Sequence, residues 1–444
     1  MQNIAHGYNS KIKTVNGFTD TPMAFISICN LLIFMTITIL ISKPNYNQNL
    51  SISVHKVIDT ITPQIFLLFI SIISILYIIP LVIITLYKYI TKLMIYINYL
   101  LLIGISIYGI YLSLENQNFI MTVMLIIPLI LTIFMLYKTV KHINYIQNIL
   151  KLGTSIILQN ISPYTVTCTL SICTGLFIIL SIISTLHIYD INTFKTVNLS
   201  DKLTLIRVIY VIFNITLIIL YIRNSIIVLY SKLVHQHLLN KVNPKGLHKN
   251  ILIISISRVI LSTGTIFIAS LLGTVLYMIK QLSENFIESR NNNRDNSVLR
   301  LIILIIGFIV LFILSLLSLT IDQLNGYALV YNALYGTKYS TSMKLAVDQL
   351  SAYKNNNYYI RLVSLGIFPL MFIIMYNTLT YIVYYGFIHI DSKYTDYTMI
   401  ILVFGMGVLL SIIPIMRGTL TTVSCIEYLD GDLLSMAYPK YKLN

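Results

Sequence analysis

Long apolar stretches alternate with short polar segments along the whole chain, and within the stretches the apolar residues are continuous. About 20 consecutive apolar residues are enough for one helix to cross the hydrocarbon core of a bilayer. The breaks between the stretches carry turn formers, as in Lys43-Pro44-Asn45. The pattern therefore predicts about ten membrane helices. The predicted spans are residues 22–42, 62–88, 93–114, 119–138, 165–189, 204–232, 250–279, 299–322, 361–388 and 397–416.

The composition supports this prediction and excludes several classes of protein. Hydrophobic residues make up 57% of the 444 residues and charged residues only 10%, whereas a soluble domain carries about 25% charged residues. A soluble globular protein and a nucleic-acid-binding module are therefore excluded. The four cysteines have no metal-ligand or redox spacing, and no nucleophile–base arrangement or phosphate-binding loop is present. We predict an all-α, polytopic integral membrane protein without a cofactor and without catalytic activity of its own.

The distribution of positive charge predicts the orientation. The net charge is +15, and ten spans divide the basic loop residues into 16 on the side of both termini and 9 on the other side. Basic loops stay on the cytoplasmic or matrix side of a membrane. The termini are therefore predicted on that side.

Arginines within or beside the spans are the first candidates for function, because an ionisable group at membrane depth is costly. Arg207 and Arg223 lie near opposite ends of the span 204–232, where a long side chain reaches the interface. Arg258 lies about a third of the way into its span, and its sequence position leaves a functional and a packing role equally open.

Two further arginines flank the last predicted hairpin. Arg361 lies 29 residues before the turn near Ile390, and Arg417 lies 27 residues after it. Positions equidistant from the turn of an antiparallel helix pair lie at the same height, so the two side chains are predicted to approach each other. The alternatives are an interfacial position for Arg361 and an anchor at a helix end for Arg417.

The end of the chain resembles subunit a, the membrane stator subunit of rotary F-type ATP synthases. The run Arg417-Gly418-Thr419-Leu420-Thr421-Thr422-Val423-Ser424-Cys425-Ile426-Glu427-Tyr428-Leu429-Asp430 is similar to the last helix of that family. The pair Arg361-Leu362 is similar to the Arg-Leu pair of its penultimate helix. The resemblance implies a divergent, ciliate-like mitochondrial ATP synthase, and hence a multi-pass protein of the mitochondrial inner membrane with both termini in the matrix.

This resemblance implies a division of the chain and a set of partners. Residues 1–249 would be a lineage-specific expansion, and residues 250–444 the region similar to subunit a, with long tilted helices at about 342–388 and 397–430. The partners would be the rotor ring of c subunits, peripheral-stalk and other membrane subunits, and membrane lipids, in a complex that forms dimers.

The same resemblance implies proton translocation. Arg361 or Arg417 would favour the ionised form of the ring carboxylates and so deprotonate them. Titratable side chains near the two ends of the helix pair would line the half-channels; these are His389, Asp391, Asp396, Glu427 and Asp430.

Three alternatives remain. In a second register of the resemblance, Arg258 is the essential arginine. From a different class, the chain is a membrane subunit of respiratory complex I or a solute transporter, although lysines cluster in loops and no internal repeat is evident. The third alternative is a purely structural membrane subunit of a respiratory complex.

Overall fold

The computed structural model describes residues 17–42, 77–78, 81–115, 119–171, 174–175, 202–243, 250–292, 297–352 and 395–439. Every regular element in these ranges is a helix, which confirms the all-α class. The helices are α1 (Thr21–Ser42), α2 (Thr91–Glu115), α3 (Phe119–Lys141), α4 (Ile143–Gln159), α5 (Lys202–Val242), α6 (Ile251–Leu261), α7 (Thr263–Asn292), α8 (Ser297–Tyr335), α9 (Tyr339–Ala352), α10 (Thr395–Leu429) and α11 (Gly431–Ala437). Residues 81–89 and 161–171 are also helical.

Four of the described helices contain a segment long and apolar enough to cross a membrane, and two shorter apolar helices accompany them. The four segments are Thr91–Glu115, Ile209–Val242, Thr263–Glu284 and Ile309–Tyr335. A polytopic helical membrane protein is the class that accounts for this set. Most of the predicted spans 62–88 and 165–189, and all of 361–388, lie outside the described residues.

The helix boundaries differ from the predicted spans in two ways. The predicted span 250–279 is two helices, α6 and α7, interrupted at Ser262. The predicted spans 204–232 and 299–322 extend to Val242 and Tyr335, because their helices continue through polar turns that the hydropathy pattern assigned to loops. The predicted second long helix, 397–430, corresponds to α10, whereas the first lies mostly outside the described residues. The functional division at residue 250 stays a prediction.

Serine and threonine are frequent in these apolar helices because their hydroxyls bond within the helix. Thr154, Ser231 and Thr419 each donate to the carbonyl oxygen four residues earlier, at 2.6–2.8 Å. In lipid every polar group needs an internal partner, and this back-bonding supplies one. Pro414 lies inside α10 and lacks an N–H, so it donates no helical hydrogen bond.

The chain forms two compact units. The first contains α1, α7, α8 and most of α5, with the end of α6 and the beginning of α9. In this unit α7 packs against both α1 and α8. Asn30 of α1 donates to Asn214 of α5 at 2.8 Å, which satisfies two amide groups inside an apolar helix pair.

The second unit contains α2, α3, α4, α10 and α11, with the end of α5. Its centre is α4, an amphipathic helix that packs against α2, α3 and α10. The buried face of α4 includes Ile146, Ile149 and Gly153. Gly153 allows α10 to approach, since an added Cβ would lie 3.0 Å from Leu420 Cδ2.

Candidate functional site

Two opposite charges meet between long helices of the first unit. Arg223 of α5 donates a hydrogen bond through Nη2 to Oδ1 of Asp322 of α8, and the two side chains form an ion pair. Asp322 directly follows the mostly apolar residues 301–321 of α8, and Arg223 lies near the middle of α5. Ionisable residues in or beside apolar helices are candidates for function.

Buried polar side chains continue from this ion pair along the same helices. Asn224 of α5 donates to the Ser270 hydroxyl of α7 at 2.9 Å. Asn325 of α8 donates to the carbonyl oxygen of Ala269 at 3.3 Å and accepts a hydrogen bond from the Tyr339 hydroxyl. Burial raises the pKa of Tyr339, which lies outside the apolar segments, to about 12, so its hydroxyl remains a donor. We name this set the polar seam: Arg223, Asn224, Ser270, Asp322 and Asn325.

The interruption between α6 and α7 brings a third segment of chain close to these helices. The carbonyl oxygen of Leu261 accepts a hydrogen bond from the backbone N–H of Thr19 at 2.9 Å. Gly264 lies so close to this segment that an added Cβ would be 2.2 Å from the carbonyl oxygen of Asp20. Only glycine leaves room for this backbone approach.

A carboxylate and an amide lie at this interruption. Asp20, at φ 50°, accepts hydrogen bonds at Oδ2 from the Thr265 hydroxyl at 2.7 Å and from the backbone N–H of Tyr339 at 2.8 Å. Asn332 donates to the carbonyl oxygen of Thr337 at 2.6 Å. That acceptor fixes the orientation of the amide and leaves the buried Oδ1 of Asn332 without a partner among the described residues.

The structure places Arg258, the alternative essential arginine, in the last turn of α6, where it is 6% exposed. The ammonium of Lys232 lies near enough to be repelled by its guanidinium. A cation in the last turn of a helix is stabilised by the partial negative charge of the carbonyl end. The position of Arg258 is therefore explained by the end of α6, although a role in transport is untested.

The candidate residues near the chain end lie in the second unit. Arg417 is half-buried on α10. Glu427 lies beyond the predicted span 397–416 and accepts a hydrogen bond from the Tyr145 hydroxyl at 2.7 Å. Burial raises the pKa of Glu427, and this hydrogen bond opposes the shift. Asp430 caps α11 by accepting from the backbone N–H of Leu433 at 3.2 Å.

Other predicted candidates are not described. Arg361, His389 and Asp391 lie outside the described residues, and of Asp396 only the helical backbone is described. The predicted approach of Arg361 to Arg417 therefore stays a prediction. The described ranges contain no group of three or more histidine, cysteine, aspartate and glutamate side chains that could hold a metal ion.

Sequence reasoning did not single out Asp322, because the predicted span 299–322 ends at this residue. The predicted position of Arg223 near an end of the span 204–232 stays a prediction. Asp322, Asn325 and Asn332 recur on one face of a helix, and this spacing continues past residue 322. Following that periodicity would have extended α8 beyond the predicted span.

The apolar helices, the ion pair and the interrupted helix together indicate a class of protein. An ion pair between two membrane helices and an interrupted helix are both found in membrane transport proteins. The family model for the plasma-membrane choline transporter matches residues 122–425, about two thirds of the chain. The chain therefore belongs to the plasma-membrane choline transporter family. A comparison with individual characterised proteins gives no significant match.

This family membership corrects the resemblance to ATP synthase subunit a, which was wrong. The matched region contains α4 to α9 and most of α10, whereas the resemblance depended on short motifs around Arg361 and Arg417. Such motifs, made of hydroxyl-rich and apolar residues, recur in unrelated membrane helices because the bilayer selects the same residue types. The rotor ring, the peripheral-stalk partners, the dimer of complexes and proton translocation by a stator are withdrawn as interpretations. The alternative, a solute transporter, is the one that the family supports.

Proposed function

We propose that this protein transports a small organic cation of the choline type across a membrane. The observation that carries the proposal is the family match over residues 122–425. The polar seam adds physical support, because a cation crossing a bilayer needs polar or acidic groups at depth to replace its hydration. Asp322 contributes a carboxylate to this set of polar groups.

The transport proposal is tested with purified protein in proteoliposomes. Uptake of radiolabelled choline is expected to exceed uptake by empty liposomes and to saturate. Unlabelled choline should compete, whereas its uncharged isostere, with a tert-butyl group in place of the trimethylammonium group, should compete far less. Equal competition by both compounds, or uptake no greater than in empty liposomes, would contradict the proposal.

We also propose a cellular location for this protein. The mitochondrial inner membrane was inferred from the ATP synthase resemblance, whereas the matched family is described as a plasma-membrane transporter. We therefore place the protein in the plasma membrane, with both termini in the cytosol by the distribution of basic residues. A terminal epitope tag should stain the cell periphery only after permeabilisation. Staining that coincides with a mitochondrial marker would contradict this location.

A further inference from the structure

The residues that follow α10 are held against the ends of two other helices of the second unit. α11 has seven residues, and a helix of that length is not stable alone in water. Leu434, Ala437 and Tyr438 are nevertheless buried, and the backbone N–H of Tyr438 donates to the carbonyl oxygen of Leu434 at 2.9 Å. We name residues 431–438 the C-terminal strap.

Tyr438 joins the C-terminal strap to the ends of α4 and α5. Its hydroxyl oxygen lies 3.0 Å from Nε2 of His237 on α5 and donates to Oε1 of Gln159, the last residue of α4, at 3.1 Å. The ammonium of Lys241, one turn after His237, lies 3.1 Å from the centroid of the Tyr438 ring, which is a cation–π contact. Because the strap directly follows α10, Tyr438 ties the ends of three helices together.

The hydrogen bonds of Asn160 fix the protonation state of His237. Nδ2 of Asn160 lies 2.8 Å from the carbonyl oxygen of Ile156, which can only accept, so the amide nitrogen must occupy this position. The same nitrogen lies 3.1 Å from Nδ1 of His237, and an amide NH₂ group only donates. Nδ1 is therefore an acceptor without a proton. The imidazole is neutral, and its Nε2–H donates to the hydroxyl oxygen of Tyr438.

A second proton on His237 is incompatible with this arrangement. It would bind to Nδ1 and place an N–H against the NH₂ group of Asn160, so that two donors would meet without an acceptor. Turning the amide over does not help, because its oxygen would then face the carbonyl oxygen of Ile156.

The charged and titratable groups around His237 act in the same direction. The imidazole faces the amide of Asn160 from α4, the phenol of Tyr438 from the C-terminal strap and the side chain of Lys241 from its own helix. The ammonium of Lys241 repels a second positive charge at this position. The imidazolium is therefore accommodated better when the strap is released and the ring can turn towards water.

We propose that His237 is a pH-sensitive latch for the C-terminal strap: the neutral imidazole holds Tyr438, and protonation releases the strap. The released state binds the additional proton more tightly than the latched state. The strap is therefore held at neutral pH and loses stability as the pH falls below the ordinary histidine value of about 6.5. Its release removes a tie between the ends of α4, α5 and α10. The inference does not depend on which solute is transported, so its test is separate from that of the proposed function.

Hydrogen–deuterium exchange of the full-length protein in detergent, followed by mass spectrometry, tests the latch. A released α11 melts, so exchange in the peptide that contains residues 431–438 reports release. After correction for the intrinsic effect of pH on exchange, protection of this peptide should fall about tenfold between about pH 7.5 and about pH 5.5. Peptides of α7, in the first unit, should change much less. Unchanged protection of the strap, or an equal fall in α7, would overturn the inference.

Three variants assign the effect to His237. His237→Gln has no titratable side chain, so the two pH values should differ by less than about twofold. His235→Gln, two residues earlier on α5, is the matched control and should keep the tenfold effect of about two pH units. Tyr438→Phe lacks the hydroxyl that His237 holds, so protection of the strap should already be low at neutral pH.

The variants also give the results that contradict the latch. A full pH effect in His237→Gln, or its loss in His235→Gln alone, overturns the inference. Where His237→Gln does not fold, Tyr438→Phe decides the question, because wild-type protection at neutral pH together with a full pH effect in that variant overturns the inference as well.

Discussion

Gly264 offers the sharpest test of the interrupted helix. An alanine Cβ at this position would lie 2.2 Å from the carbonyl oxygen of Asp20 and 2.7 Å from that of Thr19. Because both are backbone atoms, no rotamer change relieves the overlap, and the segment must move away. Forced overpacking costs about 1–3 kcal/mol. The movement also breaks the hydrogen bond from Thr19 N–H to the Leu261 carbonyl, a further loss of about 1 kcal/mol.

Gly104 of α2 provides a matched control for this substitution. No atom lies within 4 Å of the position its Cβ would occupy, and alanine in an open helix interior is favoured over glycine by about 0.5–1 kcal/mol. Gly264→Ala is therefore expected to lower the free energy of unfolding by about 2–4 kcal/mol, whereas Gly104→Ala should raise it slightly.

The chain contains no tryptophan, but Cys168 and Cys425 are buried cysteines, so a thiol-reactive dye reports unfolding in detergent. Apparent midpoints are compared at one heating rate, because membrane proteins often unfold irreversibly. Gly264→Ala should unfold at least about 5 °C below Gly104→Ala. Midpoints that agree within about 1 °C would refute the argued backbone contact.

Three further predictions concern single side chains. Asn332→Ala removes the 2.6 Å hydrogen bond to the carbonyl oxygen of Thr337, which then keeps only the 3.4 Å contact from the Ser342 hydroxyl. Unfolding should be easier by about 1–3 kcal/mol, and an unchanged midpoint would contradict this. Glu427→Gln removes a negative charge that burial disfavours, since burial raises the pKa of Glu427. The variant should therefore unfold at a higher temperature than the wild type at neutral pH, and this difference should vanish as the pH falls below the ordinary carboxyl pKa. Gly153→Ala should change the midpoint little, because the added Cβ would contact only the side-chain end of Leu420 and the methyl group of Thr419, which can move. A fall in the midpoint as large as that of Gly264→Ala would contradict this.

The contrast between Gly153 and Gly264 shows what a sequence leaves undetermined. Both are glycines in helical segments, and nothing in the neighbouring residues ranks them. The difference arises because Gly264 faces the backbone of Thr19 and Asp20, whereas Gly153 faces side chains of α10. Contacts between segments about 240 residues apart in the chain have no local signal in either segment.

The family assignment shows a related limit. Reading Arg361 and Arg417 as equidistant from a turn was sound geometry, but it compared positions within one hairpin and gave weight to a short degenerate motif. The family match extends over residues 122–425 and therefore uses far more of the chain. The resemblance was wrong because residue types that suit any membrane helix recur without common function.

The amino-acid sequence alone was enough to identify an all-helical polytopic membrane protein. A helix that crosses hydrocarbon needs about 20 mostly apolar residues with few charges, and such runs can be identified directly in the sequence. The tertiary structure was needed to show that Arg223 and Asp322 form a pair, and that α6 and α7 are separate helices in contact with residues 19 and 20. These features depend on which helices are neighbours, because a buried charge or carbonyl is stabilised by a partner whose position the local sequence does not specify.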